Sequence, residues 1–321
     1  MLIITQVLMT LFHILIFPGL LFCIIAGLLL AGVDRKAVAR MQKRIGPPIV
    51  QPFYDFFKLL GKETIIPAAA SRPAFILAPL LGLVSLVVMA LFIPVFGFTA
   101  FSGVADIIVI LYLLTIPAAA IIIGGAASGS PYAGVGISRE MVAIIAYELP
   151  LIIVLLTVGK KAALDGGITF SLADINAYQA EFGAMISKWS MIPAALAMLL
   201  VIPSEVGSHP FDVAEAETEI CEGPLVEYSG ALLGVYKLNH AIKMFILTAL
   251  FAALFLGGLG TGIVAVDAVL LLLICAVVTV LCMSLLHAIC ARLKVEKMFK
   301  FYWTVVTGLA ALSFILVWLG L

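Results

Sequence analysis

Long apolar runs without any charge are the feature that most constrains this chain. No Asp, Glu, Lys or Arg occurs before Asp34, and the run between Arg72 and Asp106 is equally free of charge. A helix needs about 20 apolar residues to cross the hydrocarbon layer of a bilayer. Because a lipid-exposed backbone must satisfy its own hydrogen bonds, runs of this length predict transmembrane helices. The composition agrees, since only 11% of residues are charged, against roughly 25% in soluble domains.

The pattern predicts an all-α, polytopic integral membrane protein that forms a single domain over residues 1–321. No internal repeat or low-complexity linker divides the chain. The N-terminus lacks a basic region before its apolar run, so we interpret it as a helix and not as a removable signal. Eight transmembrane spans are predicted, near residues 8–31, 74–96, 106–127, 138–158, 188–206, 230–257, 266–290 and 301–320.

Most Lys and Arg residues fall in the connections that follow odd-numbered spans. These connections carry 13 of them, whereas the opposite side has only Lys160, Lys161 and Lys188. Positive charge in short loops marks the cytoplasmic side of a membrane. We therefore expect the odd-numbered connections in the cytoplasm, both termini outside, and a location in the cytoplasmic membrane of a prokaryote. The formal net charge of zero gives no reason to expect a nucleic-acid partner.

The five cysteines give no sign of a metal or redox centre. None of them forms a CxxC pair, and only Cys221 lies outside the predicted spans. Zinc and iron–sulfur sites need clustered thiolates, whereas isolated free cysteines are commonly small buried residues. We therefore expect no cofactor and no metal on this chain.

The first cytoplasmic connection, residues 32–72, contains a short amphipathic helix. Its apolar residues recur at the spacing of one helical face, and its charged residues share the other side. The two sets are Phe53, Phe56, Phe57 and Leu60, and Asp55, Lys58 and Lys62. Such a helix could anchor the chain at the membrane surface or line a cavity between helices.

The third cytoplasmic connection, residues 204–228, is strongly acidic and contains no Lys or Arg. Its acids are Glu205, Asp212, Glu215, Glu217, Glu219, Glu222 and Glu227. Pro210 and Gly223 predict the two ends of a helix. On that helix one stripe would consist of Asp212, Glu215, Glu219 and Glu222. Repulsion between partly buried carboxylates raises pKa values toward neutrality, so the stripe could exchange protons or bind a cation. A solvated acidic helix that docks onto a basic partner explains the pattern equally well.

Two spans carry ionisable residues where apolar ones are the rule. Glu140 enters span 4, and Glu148 lies two turns deeper. An acid inside a span costs about 2.5–3.5 kcal/mol on insertion scales, so it predicts a functional site. The alternative is a structural ion pair between Glu148 and a lysine of another helix.

Span 6 carries Lys237, His240 and Lys243 within seven residues. A histidine there could relay protons, and the lysines could either pair with acids or snorkel to the surface. With Glu205, these residues predict a polar path that leads inward from the cytoplasmic face. The other histidines, His13, His209 and His287, are isolated in the sequence, and we assign them no metal role.

Several motifs, spread over essentially the whole chain, together resemble one family. They are Asp34-Arg35-Lys36, Met41-Gln42-Lys43-Arg44-Ile45-Gly46-Pro47, Lys58-Leu59-Leu60-Gly61-Lys62-Glu63, Ala146-Tyr147-Glu148, Pro210-Phe211-Asp212, Glu215-Ala216-Glu217 and Glu227-Tyr228-Ser229-Gly230. They look like the NADH dehydrogenase subunit 1 family, the membrane H-subunit family of respiratory complex I. One branch of this family belongs to quinone-reducing complex I, and the other belongs to energy-converting membrane-bound [NiFe] hydrogenases.

Two departures make the chain more similar to the hydrogenase branch. Quinone-type members have a longer stretch where Pro48 here reaches Gln51-Pro52 after two residues, and they tend to have Asn-Val before Glu-Tyr-Ser-Gly, where this chain reads Glu222-Gly223-Pro224-Leu225-Val226-Glu227-Tyr228-Ser229-Gly230. They also place a glutamate at the position of His240, so the resemblance implies a mixed path of Glu and His here instead of an all-carboxylate one. The shortened stretch borders the quinone cavity in the family, so the resemblance puts quinone binding in doubt. The alternatives are the quinone-site subunit of a complex I-like oxidoreductase and, from another class, a stand-alone ion transporter.

The resemblance implies a membrane anchor and coupling subunit that links ferredoxin-driven electron transfer in a peripheral arm to H⁺ or Na⁺ translocation. The chain would be a subunit of an oxidoreductase complex without a catalytic centre of its own. Its partners would be the large and small hydrogenase subunits, which carry the [NiFe] centre and [4Fe-4S] clusters, antiporter-like membrane subunits and the lipid bilayer. The residues assigned to ion translocation are Glu140, Glu148, Glu205, Asp212, Glu215, Glu219, Glu227, Lys237, His240 and Lys243. Those assigned to partner docking are Arg35, Arg40, Arg44, Lys58, Lys62, Glu63, Glu217 and Glu222.

Overall fold

Helices form nearly all of the regular structure. The computed structural model describes residues 2–94, 106–163, 167–260 and 262–320, with side chains from residue 8 onward except at position 217. The helices are α1 (Leu2–Leu15), α2 (Leu20–Met41), α3 (Gln51–Leu60), α4 (Arg72–Phe92), α5 (Ile107–Ser128), α6 (Pro131–Ala162), α7 (Leu172–Phe182), α8 (Ile192–Val206), α9 (Glu217–Ile220), α10 (Gly230–Phe255), α11 (Val264–Thr279), α12 (Leu285–Ile289), α13 (Val295–Phe301) and α14 (Thr307–Trp318).

Among the described residues, eight segments are long and apolar enough to cross a membrane, which confirms the predicted number of spans. A π-helical turn, Val280–Ser284, joins α11 to α12 within one span, and a second one, Tyr302–Val306, joins α13 to α14. The all-α, polytopic class is therefore confirmed. Residues 95–96, the predicted end of span 2, lie outside the described residues.

Two spans extend beyond their predicted limits, and in the extension of α2 distant partners stabilise the charged residues. α2 continues to Met41 instead of ending near residue 31. In this extension Asp34 accepts a hydrogen bond from Ser284 Oγ at 2.7 Å, and Arg35 pairs with Asp55 at 2.8 Å. α6 begins at Pro131, a residue type suited to the first helical turn. Glu140 consequently lies well inside α6 and not at its start.

The connections after odd-numbered spans meet at one end of the bundle, which we call the basic face. It comprises residues 35–71, the first turns of α6, residues 207–229 and residues 290–294. Side-chain contacts tie these parts together, since Arg35 pairs with Asp55 and Ile65 N–H donates to Ser229 Oγ at 3.0 Å. At the opposite end, Gln179 of α7 bonds Gly257 beyond α10. The grouping of the loops follows the prediction, and the assignment of the basic face to the cytoplasm stays a prediction.

α10 is the central helix of the bundle. In its most apolar stretch 94% of the residues are buried, and it packs against α2, α4, α8 and α11. Because neighbours surround it, polar side chains on α10 face protein and not lipid. An ionisable group in this buried stretch must therefore find a partner inside the bundle.

α3 confirms the short amphipathic helix, although its inward face is rotated from the predicted one. Phe53, Phe56 and Leu59 are partly buried, and α3 packs on α2 and α10. Phe57 and Leu60 were predicted on the same apolar face as Phe53, yet they are exposed. The predicted face is therefore wrong in part, because α10 contacts the helix along Phe53, Phe56 and Leu59.

Candidate functional site

The acidic segment, residues 207–229, does not form the predicted helix. Only Glu217–Ile220 and Gly223–Leu225 are helical, each as a single turn. The chain reverses through positive φ angles at Cys221, Glu222 and Gly223, a conformation that no helix continues through. The stripe predicted from helical spacing is therefore wrong. Asp212 and Glu215 line one cavity, Glu219 pairs with Arg139, and Glu222 is partly buried.

Two arginines from distant parts of the chain bind the acidic segment. Arg292 donates two hydrogen bonds to the Asp212 carboxylate, at 2.9 and 2.6 Å. It also donates a hydrogen bond to the Thr218 hydroxyl oxygen at 3.2 Å. Arg139 of α6 pairs with Glu219 at 2.6 Å. The segment has no Lys or Arg of its own, so these two arginines supply positive charge that its local sequence does not show.

A cavity of about 50 Å³ lies between the acidic segment and helices α5, α6, α8 and α10. Because a single water needs roughly 10–15 Å³ of such space, this cavity has room for a few water molecules. Its acidic and basic lining residues are Glu140, Glu205, Asp212, Glu215, His240 and Lys243. All six were predicted for ion translocation, and the fold brings them together from four separate parts of the chain.

Lys243 and Glu205 form a buried ion pair at the wall of this cavity. The ammonium nitrogen lies 2.8 Å from Glu205 Oε1, with only 7% and 2% of the two side chains exposed. The Tyr147 hydroxyl also lies against the Glu205 carboxylate. Lys243 therefore does not snorkel, whereas Lys237 on the same helix is exposed. The sequence suggested a structural ion pair between Glu148 and a lysine of another helix. In the structure Lys243 forms its buried ion pair with Glu205 instead.

Two further polar residues line the cavity that the prediction from the sequence did not include. Ser204 Oγ and Asn239 Oδ1 are buried and have no hydrogen-bond partner among the described residues. The Asn239 amide nitrogen donates to the Pro79 carbonyl at 2.9 Å, which fixes the side chain. Buried polar atoms are nearly always paired with protein or with water. The two unpaired oxygens therefore favour a hydrated cavity. Little in the sequence marks them as functional, because each is an uncharged polar residue. The only indication is that Ser204 precedes Glu205 and Asn239 precedes His240.

Glu215 is the cavity residue whose proton affinity is most changed outside the membrane spans. Burial, assisted by repulsion from the Glu140, Glu222 and Asp212 carboxylates, raises the pKa of Glu215 to about 8. At neutral pH this carboxyl holds its proton, and small changes in the surrounding charge would release it. That this segment contains acids able to exchange protons near neutral pH stays a prediction, and Glu215 is the residue at which to test it.

The structure does not bring the other predicted translocation residues to the cavity wall. They are Glu148, Glu219, Glu227 and Lys237. Glu148 is half-buried on α6, where the nearby charge acting on it is Glu205, and Glu219 is bound to Arg139. Of the docking residues, those that are exposed at the basic face are Arg35, Arg40, Arg44, Lys58, Lys62 and Glu63. Glu222 is partly buried, and the Glu217 side chain lies outside the described residues.

Within the part of the chain that the structure describes, no group of three or more His, Cys, Asp or Glu could hold a metal ion. All five cysteines are free, with Cys221 and Cys290 exposed and Cys23, Cys275 and Cys282 buried. The placement of redox centres on partner subunits stays a prediction.

Sequence comparisons place the chain among membrane subunits of redox complexes. The chain is 34% identical to the H subunit of NADH-quinone oxidoreductase from Thermomicrobium roseum over 303 residues, which is 87% of each protein. It is 37% identical to hydrogenase-4 component C of Escherichia coli over 229 residues, 71% of this chain and 70% of that protein. The corresponding H subunit of Bordetella pertussis is 32% identical, and the match spans 66% of its length, slightly under two thirds.

A solved structure and a family profile agree with these relatives. A chain of an archaeal respiratory membrane complex, the membrane-bound sulfane sulfur reductase, superposes with a TM-score of 0.86 at 29% identity, covering 97% of this chain and 98% of that one. The profile of the family described as NADH dehydrogenase matches residues 13–318. With nearly the whole chain matched in sequence and in fold, this protein belongs to the NADH dehydrogenase subunit 1 family.

Proposed function

We propose that this chain is the membrane anchor and coupling subunit of an energy-converting complex of the [NiFe] hydrogenase type. In this proposal a peripheral arm on other subunits passes electrons from ferredoxin to its acceptor. The chain couples that reaction to H⁺ or Na⁺ movement across the membrane. The observation that carries the proposal is the single cavity lined by Glu140, Glu205, Asp212, Glu215 and the buried Lys243.

The proposed coupling is electrostatic. Electron transfer in the docked arm changes the charge or position of the acidic segment, which Arg292 and Arg139 hold against the bundle. A shift of one pKa unit requires only about 1.4 kcal/mol, so a modest change in this field would release the proton of Glu215 into the cavity. From there the proton passes by Glu140 toward the Glu205–Lys243 pair and on to neighbouring antiporter-like subunits.

Neutralising one cavity acid in the reconstituted complex tests this proposal. Glu140→Gln keeps the shape of the side chain but cannot give up a proton, so we expect ion transport to fall at least tenfold while electron transfer continues. The measurement is pH-gradient formation in sealed vesicles, alongside the rate of acceptor reduction. Glu181→Gln, an exposed acid at the opposite end of the bundle, is the matched control. Full transport in Glu140→Gln vesicles would refute the role of the cavity.

The cavity also bears on the quinone alternative. Sites for ligands of drug-like size have volumes of roughly 300–1,000 Å³, whereas this cavity has about 50 Å³, which favours water molecules over a quinone head group as its content. The relatives include both an NADH-quinone oxidoreductase subunit and a hydrogenase component. Assaying the purified complex for reduction of a soluble quinone analogue and for hydrogen evolution, and identifying its co-purifying subunits by mass spectrometry, decides between the two.

The stand-alone transporter alternative is tested by purification. Six predicted docking residues are exposed at the basic face, where a peripheral arm could bind them. We expect the chain to co-purify with soluble-arm subunits and to show no ion flux when reconstituted alone. Ion flux by the isolated chain would favour a transporter.

A further inference from the structure

His209 and His287, which are isolated in the sequence, lie against each other in the fold. Their rings stack almost parallel, with centroids 4.8 Å apart and 8° between the planes. His209 belongs to the acidic segment, and His287 lies on α12. Parallel imidazoles cannot hydrogen-bond each other, because their N–H groups lie in the ring planes. Two cationic rings at this distance would repel, so the pair can hold one extra proton but not two.

One nitrogen of the pair lacks a partner. His209 Nδ1 is buried and has no hydrogen bond to any described residue. A buried ring nitrogen in this state needs a water molecule or a proton. Both histidine side chains are otherwise only partly buried, so water at the basic face can reach them.

Charged groups from α2, from the acidic segment itself and from the connection after α12 surround the pair. α2 supplies Asp34, whose electrostatic partners include His287 and Arg35. The acidic segment supplies Asp212, and the connection after α12 supplies Arg292. Burial lowers the pKa of His209, with the Asp212 carboxylate opposing that effect and the charges of His287 and Arg292 adding to it. The lowered pKa favours the neutral form of the His209 ring, and the nearby Asp212 carboxylate stabilises a transient cation.

The backbone before His287 holds the pair next to α2. The π-helical turn Val280–Ser284 leads directly into α12, and Ser284 at its end donates to Asp34 at 2.7 Å. Turns of this kind inside helices occur frequently at functional sites. Asp212, which acts on His209, also lines the cavity together with Glu215. The histidine pair is therefore adjacent to the proposed ion path without being part of its wall.

We propose that His209 and His287 form a proton-loading site that feeds the cavity from the basic face. One imidazole takes a proton from a hydronium ion of the solvent, leaving water, and becomes imidazolium. Once Glu215 has released its own proton into the cavity, the imidazolium passes its proton, through water beside Asp212, to the Glu215 carboxylate, and the ring becomes neutral again. No electron moves in this step. The inference rests on the proposed function, since it supplies protons to the same cavity.

The intact complex, reconstituted in vesicles, tests the loading site with His287→Ala and His209→Ala. We expect proton transport per electron to fall at least threefold in each variant, with the largest loss at alkaline pH, where protons are scarce. Adding imidazole to the basic-face side should restore at least half of the lost transport, since the free base can enter the space left by the ring. His13→Ala, a histidine at the opposite end of the bundle, should leave transport unchanged.

Three results would overturn the loading site. They are unaltered proton transport in both variants, a loss that imidazole does not restore although the complex assembles fully, and transport of Na⁺ without protons. Imidazole rescue separates proton transfer from a merely structural stack, which a soluble base cannot replace. Glu140→Gln measured in parallel keeps the two proposals distinct. Loss of transport in Glu140→Gln with normal transport in His287→Ala would remove the loading site alone, whereas normal transport in both would remove the proposed function as well.

Discussion

At the scale of single residues, Lys243 and Glu205 depend on each other. They place two opposite charges 2.8 Å apart where almost none of either side chain is exposed. Removing one partner of a buried pair costs roughly 3–5 kcal/mol, because the remaining charge must be buried alone or neutralised. We expect Lys243→Met to destabilise the purified protein by about that amount in thermal unfolding. The double variant Lys243→Met with Glu205→Gln should recover most of the loss.

Lys237 provides the matched control for this prediction. It lies on the same helix as Lys243 but is exposed, and exposed charges contribute little to stability. Lys237→Met should therefore change thermal unfolding by less than about 1 kcal/mol. Equal effects of the two lysine substitutions would show that the pair does not carry the stability assigned to it.

The raised pKa of Glu215 gives a second prediction at this scale. An ordinary glutamate ionises near pH 4.5, whereas burial raises the pKa of Glu215 to about 8. Between these pH values the folded protein binds a proton that the unfolded chain has lost, so the free energy of unfolding falls as pH rises. Glu215→Gln removes this dependence. We expect the variant to be more stable than the parent above pH 8 and equal to it below pH 4.5.

Infrared difference spectroscopy checks the titration directly. The protonated carboxyl band of the parent protein should disappear with a midpoint near pH 8, and this component should be missing in Glu215→Gln. If the Glu215 carboxyl titrates near the ordinary pKa of glutamate and the two proteins are equally stable, the proposal that Glu215 holds and releases a proton is contradicted. Glu63→Gln, an exposed acid at the basic face, is the control for a general effect of removing charge.

At the scale of elements, the acidic segment is held in place by two arginine contacts. Arg292 binds Asp212 through both of its carboxylate oxygens, a geometry that a lysine cannot reproduce. We expect both Arg292→Lys and Arg292→Ala to increase amide hydrogen exchange over residues 207–222, with the larger increase for alanine. Arg35→Ala breaks a similar pair with Asp55 on α3, and it should leave exchange in the acidic segment unchanged. Equal protection from amide exchange in all three variants would mean that the Arg292–Asp212 contact does not order the acidic segment.

The contrast between spans and loops shows what the sequence could predict. The spans follow from local hydropathy, because the bilayer requires the same length and apolarity of every crossing helix. The predicted helix in the acidic segment was wrong because Arg139 and Arg292, which bind the segment, are far from it in the sequence. The predicted end of α2 was wrong for the same reason. Ser284 and Asp55, which bind the charged residues of its extension, are far from it in the sequence.

The candidate site was predicted better than the loop that covers it. Charged residues inside apolar spans are rare and costly, so Glu140, Glu205, His240 and Lys243 could be recognised without knowing their partners. Ser204 and Asn239 carry no charge, and polar residues of this kind are common enough in spans to pass unnoticed. The stacking of His209 on His287 depends wholly on the packing of α12 against the acidic segment, which no local pattern encodes.

At the scale of the whole molecule, the orientation in the membrane can be tested with the native cysteines. Cys221 and Cys290 are exposed and belong to the basic face, whereas Cys23, Cys275 and Cys282 are buried in the bundle. If the basic face is cytoplasmic, a membrane-impermeant maleimide should label the protein in inverted vesicles stripped of peripheral subunits. It should leave the protein in intact right-side-out vesicles unlabelled. Labelling should disappear when both exposed cysteines are changed to serine.

A cysteine at the opposite end completes this experiment. Ser187 is exposed there, close to the few lysines predicted outside. In the background without Cys221 and Cys290, Ser187→Cys should be labelled in right-side-out vesicles and protected in inverted ones. The reverse pattern would place the basic face outside. Because the acidic segment and the histidine pair both lie at the basic face, a reversed orientation would also remove the cytoplasmic docking site on which the proposed coupling depends.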